Sequence, residues 1–235
     1  MQIIGLMGYV DKYDFMMNMA KVLDVMDKSV FVIDATYDKK LKYTIPAIDS
    51  TSRSYITKYN DIDFAVGFNS FFELEEYMRE HEVDITRYDY VLIDIDCADT
   101  YRKFNDREFN RKYMFIDSNV LSVAKNKELV KSIRENMFEG EIKFTKILYK
   151  AYLSRASENY LESQIALYDV SWQDENYEVT IEEQDRIIDI DSQLGGIIQV
   201  RKHTKVYIMV IAEIIANLLE EDAKNVIKQI KRRKN

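Results

Sequence analysis

Four residues in the first thirteen positions, Gly8, Asp11, Lys12 and Tyr13, occupy a turn where a phosphate could sit. They lie between a short apolar run, 2–6, and a run of helical spacing, 12–26, so the turn from Met7 to Asp14 leads a strand into a helix. Backbone N–H groups at such a turn, reinforced by the helix macrodipole, form an anion cradle, and a lysine within it can reach phosphate oxygens. Two aspartates complete the set. Asp34 closes the apolar run 30–34 and Asp94 lies near the end of 90–95, both at the carboxyl ends of strand-like runs, where ligands of parallel sheets bind.

The turn itself argues against that chemistry. A cradle of consecutive inward N–H groups needs glycines able to take positive φ, and only Gly8 is present; Tyr9 and Asp11 stand where others would serve. A carboxylate at Asp11 would face phosphate charge at a cost of about a few kcal/mol. The phenol of Tyr13 projects too far to replace a Ser or Thr hydroxyl on magnesium. Lys12, near a helix start, is disfavoured by the macrodipole by about 0.3–1 kcal/mol and therefore needs a counter-charge. A bound anion would serve, as would Asp11, Asp14 or Asp34. The internal partner is the expectation adopted: a self-neutralised cluster of Lys12 with Asp11, Asp34 and Asp94, to which Asp96 and Asp99 add negative charge.

The elements that must position these residues follow from hydrophobic patterning. Strand-like apolar runs recur at 2–6, 30–34, 62–67, 90–95, 113–117 and 144–148, and helical spacing at 12–26, 70–80, 120–137, 158–168 and 205–221. The alternation predicts an α/β fold, a three-layer sandwich with a mostly parallel central sheet and helices on both faces, its ligands at the carboxyl ends of the strands. A single proline, Pro46, and no internal repeat predict one domain over 1–235, with a basic C-terminal tail over 224–235. At 235 residues the chain can bury about 70% of its unfolded surface.

Four landmarks, in order, resemble the ParA/MinD superfamily of ATPases with a deviant phosphate loop, which opens "KGGVGKTTxxxNLAxxL". Lys12 aligns with the phosphate lysine, Asn18-Met19-Ala20 with "NLA" and Leu23 with the next leucine. "VFVIDAT" resembles the second motif, whose aspartate lies near the attacking water, and Asp34 falls on it. "YDYVLIDID" resembles the strand whose carboxylate holds magnesium through water, at Asp94, and "FIDSNVLSVAKNKELV" resembles "TPDLLSVxxAxxLL". The resemblance runs as far as Tyr149. It implies a P-loop NTPase-like fold, nucleotide contacts at Gly8, Asp11, Lys12 and Tyr13 if a nucleotide binds, and metal contacts at Asp94 and Asp34. Met7 replaces the signature lysine that reaches a partner's nucleotide. The departures imply a pseudo-ATPase acting as a localisation or scaffold factor for a polar or membrane-associated machine, the TadZ-like proteins of pilus assembly being the nearest analogy. The competing expectation is a weak ATPase, with ATP and magnesium at low affinity, whose nucleotide-dependent dimerisation positions plasmid, pilus or division machinery.

Other chemistry finds little support. The acids of a receiver-type phosphoacceptor would directly follow the first strand, with its lysine late in the chain. Gly5 and Gly8 cannot make "GxGxxG". His81 and His203 flank no nucleophile motif and are expected at the surface or at helix ends, and no Cys/His array suggests zinc. Cys97, the one cysteine, falls in an apolar strand-like run; it is compatible with a reducing cytosol, and no window reaches a membrane span, so a cytoplasmic protein, peripheral at a membrane or cell pole, is expected. A net charge of −8 argues against DNA as partner. The expected partners are proteins of the assembly, a second copy, or an anionic membrane met through Lys224, Lys228, Lys231, Arg232, Arg233 and Lys234. The segment with Tyr37, Tyr43, Tyr55 and Tyr59 reads as an irregular excursion open to docking, and 207–219 as a buried helix.

Overall fold

The computed structural model describes residues 1–45, 53–105, 108–136, 140–149 and 158–233; Pro46, Met137, Lys234 and Asn235 lie outside the described residues. Eight strands among them form one sheet: β1 (Gln2–Met7), β2 (Val30–Asp34), β3 (Tyr55–Tyr59), β4 (Ile62–Val66), β5 (Tyr90–Ile95), β6 (Arg111–Ile116), β7 (Ile142–Tyr149) and β8 (Val170–Val179). Their spatial order is β3-β4-β2-β5-β1-β6-β7-β8. Every pairing is parallel except β3 with β4. Strands β1, β2 and β5 are almost wholly buried, as runs covered on both faces must be.

Helices α1 (Tyr13–Val25), α8 (Lys205–Leu219) and α9 (Ala223–Arg232) close one face of the sheet, where Phe15, Leu23, Ile211, Ile215 and Val226 share a core. On the other face α3 (Phe71–Glu80), α4 (Ala98–Phe104), α5 (Val120–Glu135) and α6 (Glu158–Ile165) share a second core with Leu74, Phe104, Leu129 and Ile133. Short α2 (Leu41–Thr44) follows β2, and α7 (Glu183–Gly195) follows β8. The three-layer α/β architecture is thus as the alternation predicts.

Several elements correct the sequence reading. The excursion after Asp34 carries α2 and the edge strand β3, which turns into β4 through Asn60 and Asp61, both at positive φ as a tight hairpin requires. That two-residue turn was a legible signal. Strand β8 was missed because its polar sequence reflects an edge position, and its register with β7 breaks between Phe144 and Lys146. Cys97 lies beyond β5 as the half-buried residue preceding α4. His203 is buried, whereas His81 is exposed at the end of α3, stacked on Tyr77. The basic tail is largely the helix α9, capped by Asp222, with Val226 and Ile230 buried. The apolar face that would enter a bilayer is therefore packed inside the protein.

Candidate functional site

The loop between β1 and α1 closes on itself. Gly8 has φ +125°, and a Cβ there would come within 2.4 Å of the Phe115 carbonyl oxygen, so the one glycine of the turn is required by its approach to β6. Three consecutive amides that could face a phosphate are taken internally. Gly8 N–H donates to Ile95 O (3.0 Å), Tyr9 N–H to Asn126 Oδ1 (2.7 Å) and Val10 N–H to Gly8 O (3.0 Å). Asn126, on the buried face of α5, also donates to Phe115 O at 3.1 Å and so bolts the loop to β6.

Lys12 is 1% exposed and turns back under the loop. Its Nζ donates to Gly8 O at 2.7 Å and to Ile95 O at 3.4 Å. Asp94 Oδ1 forms an ion pair with the same ammonium at 2.7 Å. Burial, opposed by Lys12, raises the Asp94 carboxyl to about 6.

The other expected members of the cluster have separate partners. Asp34 pairs with Asp94 in the sheet register, yet its carboxylate accepts from Thr36 N–H (3.1 Å), Thr36 Oγ1 (2.6 Å) and Leu41 N–H (2.9 Å), shaping the turn into α2. Asp96 accepts from Tyr37 N–H, and Asp99 pairs with Arg102. Asp11 pairs with Lys40 near the surface at 3.1 Å. Asp14 pairs with Arg186 at 3.0 Å and accepts from Gln193 at 2.8 Å. Tyr13 points its hydroxyl to Gln193 Nε2 at 2.6 Å, and burial raises it to about 12. Of the predicted cluster, only Lys12 and Asp94 are in direct contact.

No protein-family model and no curated protein matches the sequence. Solved structures do resemble it. A ParA family ATPase from Chlorobium tepidum TLS shares 12% identity at TM-score 0.57, covering 98% of this chain and 98% of that one. The MinD of the MinC:MinD cell division protein complex of Aquifex aeolicus shares 11% at TM-score 0.61, covering 94% and 97%. pNOB8 ParA bound to nonspecific DNA shares 13% at TM-score 0.51, covering 94% and 99%. The chain has the ParA/MinD-like fold.

In this structure the Lys12 amine is buried on Asp94, the Gly8 to Val10 amides already have acceptors, and the Tyr13 hydroxyl points to α7. Asn126 was missed by sequence reasoning. The legible signal was a lone amide on the apolar face of a helix, which must satisfy a buried partner.

A second polar cluster joins α1 to the C-terminal half of the ParA/MinD-like fold, and sequence patterning gave no hint of it. His203 meets Asp189 at 3.0 Å and stacks on Tyr207, while Asn18 donates to Asp189 (3.4 Å) and to Tyr207 (3.0 Å). Burial, then the nearby Asp189 charge, raises Asp14 to about 6 from the ordinary 3.8. Asp14 and Asp94 thus hold their protons more tightly folded than unfolded. Their contribution to stability is full below about pH 4 and is lost as pH rises through about 6, roughly 1 kcal/mol each between pH 5 and 7. Urea denaturation at both pH values should show Asp14→Asn removing its share of this loss; an unchanged difference between wild type and variant refutes the assignment.

Proposed function

We propose that this chain is a ParA/MinD-like localisation factor that does not turn over ATP, placing a protein assembly at a membrane or cell pole of the cytoplasm. The observation that carries the reading is the burial of Lys12 on Asp94, with Gly8 O as a second partner, where a phosphate lysine would need to be available. Among the resembling structures, MinD is solved in complex with MinC, a cell division protein, which supports a positional role through a protein partner. Pilus assembly is the machine we assign by analogy with TadZ-like proteins. pNOB8 ParA is solved on nonspecific DNA, but a net charge of −8 opposes a polyanion here.

Calorimetric titration of the wild-type protein with magnesium-ATP is expected to give no binding heat up to about millimolar nucleotide. Micromolar binding would sink this reading in favour of the weak ATPase. As a positive arm, a fluorescent fusion carrying Lys12→Met with Asp94→Leu should localise as the wild type does, and diffuse signal from a folded variant counts against the proposal.

A further inference from the structure

At the amino ends of β6, β7 and β8 two buried donors lack an acceptor. Strand periodicity puts Arg111, Tyr113, Lys143, Thr145 and Ser171 on one face of the sheet, with Tyr113 opposite Thr145 and Lys143 opposite Ser171. Arg111 is half-buried and Tyr113 fully buried. Neither Arg111 Nη1 nor the Tyr113 hydroxyl has a hydrogen-bond partner among the described residues, and Arg111 forms no ion pair with any of them. Burial raises the Tyr113 phenol, so it keeps its proton at neutral pH and remains a donor. Such a pair is unusual in a folded interior, where about 90% or more of buried polar groups are satisfied.

Strand β8 makes room beside them. Its ladder pairs Phe144 with Trp172 and Lys146 with Asn176, so β8 spends four residues where β7 spends two, and Gln173, Asp174 and Glu175 bulge outward. Thr145 Oγ1 donates to Gln173 Oε1 at 2.6 Å and pins the bulge. The result is a hollow of ≈ 430 Å³ whose lining includes Arg111, Lys143, Trp172, Asp174 and Glu175.

We propose that this hollow binds a small zwitterion of the amino-acid class, its carboxylate on Arg111 and its ammonium on Glu175 and Asp174. A carboxylate matches the guanidinium fork and supplies the acceptor that the buried donors lack. Because the Arg111 side chain lines the hollow, it meets a ligand without movement of the backbone. The lining carries two bases, Arg111 and Lys143, against three acids, Glu141, Asp174 and Glu175. That balance opposes a purely anionic ligand such as phosphate, and a positive group on the ligand removes the opposition. An α-amino acid carries both charges on one carbon. The site lies at the opposite end of the strands from the first turn, stands apart from the positional role and requires no nucleotide.

Trp172 is the only tryptophan and lines the hollow, so its fluorescence reports occupancy, with ligand-observed NMR as a second readout. Titrating the full chain with each non-aromatic L-amino acid, up to about 10 mM, should give saturable binding of at least one, at a Kd below about 1 mM. The decarboxylated amine and the N-acetyl derivative of that amino acid should each bind at least about tenfold more weakly, the loss expected for a charge-assisted hydrogen bond. Arg111→Gln should weaken binding as much, with an unchanged circular dichroism spectrum. Glu175→Gln, which removes an ammonium partner, gives the same test should Arg111→Gln misfold. No saturable binding of any amino acid overturns the proposal, as does equal binding of the amine, or binding that neither variant weakens. Failure here would leave the calorimetric test of ATP binding untouched.

Discussion

Lys12→Met is expected to lower the unfolding free energy at pH 7 by about 3–5 kcal/mol, the cost of leaving one member of a buried ion pair alone. The variant strands Asp94 at 2% exposure and leaves the Gly8 carbonyl without its 2.7 Å donor. Lowering the pH should soften the loss, because Asp94 is held near 6 even with its partner, and a protonated carboxyl needs no counter-charge. Adding Asp94→Leu to Lys12→Met should recover most of the stability, since two apolar groups of similar size replace a buried pair at little net cost. Chemical denaturation of the wild type, both single variants and the double variant gives the coupling directly. A lysine positioned to meet a phosphate would behave otherwise, costing little when removed from the nucleotide-free protein. A loss below about 1 kcal/mol for Lys12→Met would therefore contradict the structural role.

Val226→Asp is expected to cost about 4 kcal/mol or more, although it lies in what the sequence presents as a charged tail. Val226 is fully buried among core residues shared with α1 and α8, and an unpaired carboxylate there carries both the lost apolar burial and its own desolvation. Arg233 adds a tether by donating to the Asp24 carbonyl and pairing with Asp27 at 3.6 Å. Deleting 223–235 should accordingly lower the melting temperature and is a poor probe of membrane contact. Reversing Lys224, Lys228 and Lys231 to Glu is the cleaner variant, because all three are exposed. It should leave the melting temperature within a few degrees of wild type and abolish attraction to anionic vesicles if the basic face provides it. Near-native melting of Val226→Asp would show that α9 is not part of the core.

The residues differ in how far sequence alone could place them. Strands β1, β2 and β5 were legible because a strand buried on both faces must be a continuous apolar run, and the parallel order followed from the helices between runs. Strands β3 and β8 and helix α7 were not, because an edge strand or a helix with an outward apolar stripe carries a weak or inverted pattern. Lys12 with Asp94 was anticipated as part of a larger cluster. The dispersal of Asp11 to Lys40 and of Asp34 to Thr36 and Leu41 was not, since each carboxylate goes to the nearest donor that folding supplies.

What the sequence determined by itself was the layered α/β frame and the poverty of the first turn in glycine, because backbone freedom and hydrophobic period are local properties of residue types. The tertiary structure alone decided what fills that turn. Asn126 and Ile95 come from distant parts of the chain to take the loop's amides, and Asp94 rather than Asp11 or Asp34 takes the lysine. It also decided that α9 belongs to the core and that α7 shows its aliphatic face to solvent. Which donor meets which acceptor depends on separation in space, and that is fixed only when the sheet has brought β1, β5 and β6 side by side.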